Sequence, residues 1–259
     1  MDKYYWNTQL DYLKFTREQM WNDDYFEFLV KSVWKLNSPK RIVDFGCGYG
    51  NLGMKLLPLL PKGSTYTGID IGEKLLEEAN ELFKDFPFQT KFISADLNSY
   101  VPEKQYDIAI CQAVLRHIPQ SKNILKKMID SVVNNGMVIC IEVNRRMENA
   151  GLYIDDCIDD IEQKDLTLNK QWKSELENGG RDYLLGIKIP IYMEQLGLKD
   201  IGVRVNDYVE YISPSKDKDK YNEHIDFFLK SNNLQEVKVN DTNLFALKAS
   251  SLLISYGTK

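Results

Sequence analysis

A chain of 259 residues with a net charge of −5, 43% hydrophobic and 27% charged, has the composition of a globular protein large enough to bury a substantial core. It carries no basic stripe interleaved with aromatics, so a nucleic-acid partner is not expected, and Lys216-Asp217-Lys218-Asp219-Lys220 alternates in sign like a solvated loop. No apolar run approaches a membrane span, and Cys47, Cys111, Cys140 and Cys157 form no C-x-x-C pair, so neither a membrane contact, a disulfide framework nor a metal site is expected.

Residues 1–38 are rich in aromatics, among them Tyr5, Trp6, Trp21, Phe26 and Trp34. Their start lacks the charged-then-apolar layout of a secretory signal, and with the reduced cysteine pattern this leads to the expectation of a cytoplasmic protein. From Asp23 to Leu36 apolar residues recur at helical spacing, with Asp23 or Asp24 as N-cap and Ser38-Pro39 as the stop. The aromatics either pack as a helix face or form a lid that excludes water.

The apolar run Ile42 to Phe45 carries one acid, Asp44, and then breaks into Gly46, Gly48 and Gly50 before a helix from Asn51 to about Leu60. This is a strand, a glycine turn and a helix N-terminus, which suits a nucleotide-like cofactor lying against bare backbone. Two cofactors compete. Gly48-x-Gly50-x-x-Gly53 matches the dinucleotide fingerprint, but that pattern needs its first glycine directly after the strand, where Gly46 stands. A carboxylate at Asp44 suits a cofactor with an ammonium group and is poorly placed for a pyrophosphate.

Alternating units follow: a strand at 65–70, a helix at 73–84, strands at 90–95 and 106–111, a helix at 120–134 and a strand at 136–143. Such alternation implies a parallel sheet whose ligand sits at the C-terminal strand ends, where Asp44, Asp70, Asp96 and Gln112 fall. The acidic stretch from Asn144 to about Gly180 breaks the rhythm and is read as a helical insertion over the site. A helix at 181–196 should kink or restart at Pro190, and strands are expected at 199–212 and 244–256, with a helix at 220–231 between them.

Taken in order, Val43–Gly50, Thr65–Asp70, Lys91–Leu97 and Tyr106–Gln112 with the following Ala113–Ile118 resemble the motifs of the class I S-adenosylmethionine-dependent methyltransferases. The resemblance implies a doubly wound, Rossmann-like α/β sheet of seven strands, the last antiparallel. It divides the chain into an N-terminal helical lid segment (1–38), a cofactor-binding core (39–144), a cap insertion (145–180) and the rest of the core (181–259). It implies S-adenosylmethionine as cofactor, with Gly46, Cys47 and Gly48 lining its methionine part and Tyr49 and Asn51 facing the same tail. Asp44 would orient the amino group and Arg17 would pair with the carboxylate. Asp70 would accept from the ribose hydroxyls, Ile71 would pack on the adenine, and Asp96 beside Leu97 would accept from the adenine amine. Gln112 would close the site at the fourth strand. Each of the three acids can instead cap a local backbone N–H, and an acid at Asp70 serves NAD enzymes equally well.

Two residues are candidates for proton handling. His117 is either a general base or a histidine that orders the turn after the fourth strand. Glu142, at the end of the fifth strand, would accept a proton or bind a cationic acceptor. The implied reaction is in-line methyl transfer to a small molecule. A non-catalytic S-adenosylmethionine-binding regulator, a methyltransferase acting on a protein, and an NAD-dependent oxidoreductase remain as alternatives.

Overall fold

A computed structural model describes residues 3–18, 20–144, 153–154, 169–208, 210–212, 215–231, 245–247 and 252–259. The chain begins with three short helices, α1 (Lys3–Trp6), α2 (Leu10–Glu18) and α3 (Asp23–Phe28), the last running on as a π-turn over Leu29–Val33. The wider turn is closed by Trp34 N–H donating to Leu29 O (2.8 Å). Asn22 precedes α3, where Asp23 or Asp24 was expected to cap it. Asp23 instead pairs with Lys55 (2.6 Å), and Asp24 accepts from Tyr25 N–H (2.7 Å).

Strand β1 (Arg41–Phe45) leads to α4 (Asn51–Leu56), β2 (Thr65–Asp70), α5 (Glu73–Leu82), β3 (Gln89–Ser94) and β4 (Tyr106–Gln112). Helix α6 (Ser121–Ser131) follows and passes directly into β5 (Val132–Val143). The helix is shorter than its spacing predicts because Val132 already pairs with Tyr106, and the register slips before Met137 meets Ile108. Later come β6 (Tyr153–Ile154), helical residues 169–177, a helix Leu185–Gln195, β7 (Lys199–Val205), β8 (Glu210–Ile212), a helix Lys218–Ser231, β9 (Phe245–Leu247) and β10 (Leu252–Thr258).

Seven strands form one sheet in the order β3-β2-β1-β4-β5-β10-β7, in which β10 runs antiparallel to both neighbours. The chain winds outward from β1 to β3, then returns to lay β4 against the other side of β1. The two strands therefore diverge in connection at one point, and their C-terminal ends open a crevice. Alternate residues feed two cores. Ile42, Ile108, Ile110 and Ile139 pack with Phe26, Leu29, Val30 and Trp34 of the N-terminal segment. Val43, Ala109, Cys111 and Cys140 pack with Leu125 and Met128 of α6 and with Leu185, Ile189 and Met193.

Three expectations need correcting. The strand expected at 199–212 ends at Val205, because buried Asn206 turns the chain: its side chain donates to Met20 O (2.5 Å) and accepts from Tyr208 N–H (2.9 Å). The strand expected at 244–256 is likewise two, and its first part joins β6 and β8 in a separate three-stranded sheet. Pro190 neither breaks nor restarts its helix, which runs unbroken from Leu185. The expected cap over 145–180 falls largely outside the described residues. Among the described residues no helix is long and apolar enough to cross a membrane.

Candidate functional site

The crevice at the ends of β1 and β4 holds a cavity, and the β1–α4 loop forms its floor. Gly46 and Gly50 have φ of +80° and +84°, a conformation L residues rarely adopt. Crowding adds to this: a Cβ on Gly46 would lie 2.5 Å from Val114, and one on Gly50 2.6 Å from Phe83. Gly46 N–H and Cys47 N–H both donate to Ile69 O (2.7 and 3.0 Å), which pins the loop to β2. Because β1 ends at Phe45, Gly46 is the first glycine after the strand, and Gly53 lies inside α4 against the Tyr66 ring.

Asp44 is 1% exposed at the end of β1. Tyr66 O–H donates to its Oδ2 (2.6 Å), while Oδ1 has no hydrogen-bond partner. Burial raises its carboxyl, the Tyr66 bond opposes the rise, Asp70 adds to it and Arg17 lowers it, which together leave it at about 7. A buried carboxylate with one unused oxygen in a cavity wall is costly unless a donor or a cation completes it. The ammonium group of S-adenosylmethionine has that chemistry, so the residues present fit the group.

Asp70 joins the loop to the next helix. Its Oδ2 accepts from Gly48 N–H and its Oδ1 from Gly72 N–H, both at 2.8 Å. Burial raises its pKa, and these backbone bonds oppose the rise. The backbone-capping role and a place in the cavity wall therefore coincide in one side chain, since each oxygen keeps a second lone pair. Asp96 is exposed and accepts from Asn98 N–H (2.8 Å) and from the Asn98 amide (3.0 Å), an Asx turn after β3. Lys127 holds that turn by donating to the carbonyls of Leu97, Asn98 and Tyr100 (2.6–2.8 Å). Gln112 Oε1 accepts from Trp21 Nε1 (2.9 Å), tying the N-terminal segment to the end of β4.

The cavity wall brings together Arg17, Asp44, Gly46, Cys47, Gly48, Tyr49, Asn51, Asp70, Ile71, Asp96, Leu97, Gln112 and His117. It also takes in Trp6 and Leu13, which the motifs do not mark, and Ala113 and Val114 from the segment after the fourth strand. Trp6 belongs to the aromatic-rich start of the chain, the only sequence signal for it. Ala113 carries its signal in the backbone, with φ +56° for a non-glycine residue at the strand end.

Glu142, expected as a proton acceptor, is not among the residues that line the cavity. It is fully buried, and its Oε1 accepts from Val114 N–H (2.9 Å) and Leu115 N–H (2.7 Å). Burial raises its pKa, while Arg116 and the N–H groups of the turn oppose the rise. From the end of β5 it holds the 3-10 turn Leu115–His117 that follows β4. Glu142→Ala should orphan those donors and lower stability by about 2–4 kcal/mol, measured by urea unfolding. A loss below about 0.5 kcal/mol would mean the turn holds itself.

His117 faces Trp6 edge-on, with ring centroids 5.1 Å apart. Its Nε2 accepts from Arg116 Nε (3.0 Å), and its buried Nδ1 has no partner. Burial, then Arg116, Arg181 and Arg17, drive its pKa far down, so the ring is neutral. With Nε2 accepting, the single ring proton sits on Nδ1.

Among known proteins, the chain is 28% identical over 117 residues to the ubiquinone biosynthesis O-methyltransferase of Rickettsia akari, 45% of each chain. It is 32% identical over 117 residues to the one of Hydrogenovibrio crunogenus, 44% of this chain and 47% of that protein. The chain thus spans about half the length of the curated relatives it matches. The fold is shared with phosphoethanolamine N-methyltransferase 2 of Haemonchus contortus, solved in complex with S-adenosyl-L-methionine. That likeness has a TM-score of 0.56 at 14% identity, covering 89% of this chain and 51% of that one. The family model described as a methyltransferase domain matches residues 36–186, more than half of the chain, and together with the glycine loop and the sheet order it shows that this chain belongs to the class I S-adenosylmethionine-dependent methyltransferases.

Proposed function

We propose that the chain binds S-adenosylmethionine in this cavity and directs its methyl group to a small-molecule acceptor. The observation that carries the reading is Asp44, a buried carboxylate with an unused oxygen beside a glycine loop at the switch point of the sheet. The named relatives act in ubiquinone biosynthesis as O-methyltransferases, which favours a small acceptor with a hydroxyl group.

When bound, the cofactor supplies a methyl group made electrophilic by its sulfonium. The chain's own residues bind, align and exclude water. Asp44 takes the ammonium group, Arg17 the carboxylate and Asp70 the ribose hydroxyls. Ile71, Asp96 and Leu97 frame the adenine. Trp6 and Leu13 line the same cavity and would help exclude water. His117 is neutral and its Nε2 is already occupied by Arg116, which suits it poorly to take a proton from the acceptor.

Parallel calorimetric titrations with S-adenosylmethionine, S-adenosylhomocysteine and NAD test the cofactor. The expected result is micromolar binding of the first two and none of NAD. Binding of NAD alone would return the Gly48–Gly53 fingerprint to favour and remove this mechanism.

A further inference from the structure

We infer that Gln112 donates from its side-chain amide to the carboxylate at the methionine end of the cofactor, and that Trp21 is a positioning residue that turns the amide toward it. The inference rests on the S-adenosylmethionine reading and deepens it.

A glutamine amide accepts at its oxygen and donates at its nitrogen, so its use depends on which end faces the ligand. At Gln112 the neighbour decides. The Trp21 indole N–H can only donate, and it lies 2.9 Å from Gln112 Oε1. Turning the amide over would set two donors against each other in a buried contact and lose that hydrogen bond. The oxygen is therefore held at Trp21, and the nitrogen faces away from it. Gln112 is 6% exposed and lines the cavity, and among the described residues no oxygen accepts from its Nε2. Two N–H donors are left for a ligand.

Trp21 does its part from outside the cavity wall. It is 4% exposed and packs edge-on against Phe26, with ring centroids 4.8 Å apart. The carbonyl just before it, Met20 O, accepts from buried Asn206 (2.5 Å). The core and the bend after β7 thus fix the indole, and the indole fixes the amide.

The wall around Gln112 says what the donors meet. Asp44 lies opposite Ile110 across β1 and β4, and Gln112 is two residues further on, so both side chains point to the same side of the sheet. Arg17 lines the same cavity. One acid and two sets of donors match the two groups of an amino-acid end, an ammonium and a carboxylate on one carbon. With the ammonium at Asp44, the carboxylate lies close by. Its two oxygens offer about four acceptor sites, and a guanidinium fork at Arg17 uses two. Gln112 supplies further donors without adding positive charge beside the ammonium and the sulfonium.

The test compares calorimetric titrations with S-adenosylhomocysteine and with methylthioadenosine, which keeps the adenosine and the thioether but lacks the amino-acid end. Gln112→Met, similar in size and without donors, should bind S-adenosylhomocysteine about tenfold more weakly and methylthioadenosine within about twofold of the native chain. Gln112→Glu keeps an oxygen for Trp21 but puts a negative charge in place of the donors, so its loss should be at least as large. Trp21→Phe removes only the indole N–H donor from an aromatic ring. It should cost about threefold or more in the native background and nothing further in Gln112→Met, a coupling that a general loss of structure would not produce. Nuclear magnetic resonance of native protein isotope-labelled at glutamine decides the matter if the variants fail to fold. Among the described residues Gln112 is the one glutamine that lines the cavity, so one side-chain amide should shift with S-adenosylhomocysteine and not with methylthioadenosine. Four outcomes overturn the inference: unchanged S-adenosylhomocysteine affinity in Gln112→Met, an equal loss of methylthioadenosine, a Trp21→Phe effect undiminished in Gln112→Met, or no such amide shift. Failure of S-adenosylhomocysteine to bind the native chain would instead remove the cofactor reading, and the two failures are distinct.

Discussion

Asp44→Asn should fold more stably than the native chain at pH 8 and yet bind S-adenosylhomocysteine about a hundredfold more weakly or worse. Both effects come from one carboxyl group. Its pKa rises from an ordinary 3.8 to about 7 in the folded protein, chiefly through burial. A carboxyl raised in this way contributes stability that is complete below its unfolded pKa and is lost as pH rises through about 7, to a limit of roughly 4 kcal/mol. Above that pH the ligand-free protein holds an ion whose Oδ1 has no partner. Asparagine removes the ion and keeps an oxygen for the Tyr66 hydroxyl, so stability at pH 8 rises. It also removes the counter-charge for the ammonium group. In the native protein binding needs the ionised carboxylate, so affinity should fall as pH drops below about 7, by at most about tenfold per unit. The asparagine variant should lose that slope. Chemical denaturation at pH 5 and pH 8, with calorimetric titration at both, reads all of this. A native affinity that is flat with pH, or a variant that binds as tightly as the native chain, would remove Asp44 from the cofactor site.

How far the sequence carries depends on how local the deciding contacts are. The ends of β1 and β2 could be read because the first is an apolar run broken by Gly46 and the second a run of strand-forming residues closed by Asp70. The splitting of 199–212 could not be read, because the bend depends on Asn206 reaching Met20 across 186 positions. Asp44 and Glu142 look alike in sequence, each an acid at a strand end. Their fates diverge because the Val114–Leu115 N–H groups turn back onto Glu142, whereas Asp44 meets only the Tyr66 hydroxyl and the open cavity. His117 stands out in the sequence, but the arginine that occupies its Nε2 is simply its neighbour, and nothing local says which nitrogen is used. Arg181 follows two glycines and has no motif around it. Its place becomes visible only when Tyr5, at the other end of the chain, comes to meet it.

Asp70→Ala separates the two roles that coincide in that residue. As a cap, Asp70 satisfies Gly48 N–H and Gly72 N–H, and losing it exposes two buried donors at about 1–3 kcal/mol each. Part of that cost is offset, because burial disfavours the Asp70 charge even against its backbone bonds. A net stability loss of about 1–3 kcal/mol is expected, measured by urea unfolding without ligand. As a ligand, Asp70 also accepts from the cofactor, and the bond from Gly48 sets the loop that the methionine part lies against. Affinity for S-adenosylhomocysteine should then fall by at least about thirtyfold, roughly 2 kcal/mol. Asp70→Asn, which keeps one good acceptor, should fall between the two. The decisive comparison is between stability and affinity across the pair of variants. If Asp70→Ala lost stability but kept affinity within about twofold, roughly 0.4 kcal/mol, the carboxylate would be a cap and the ribose would need another acceptor. Asp96 carries no buried donor and lies exposed on the same wall, so a matching loss at Asp96→Ala would move the assignment there.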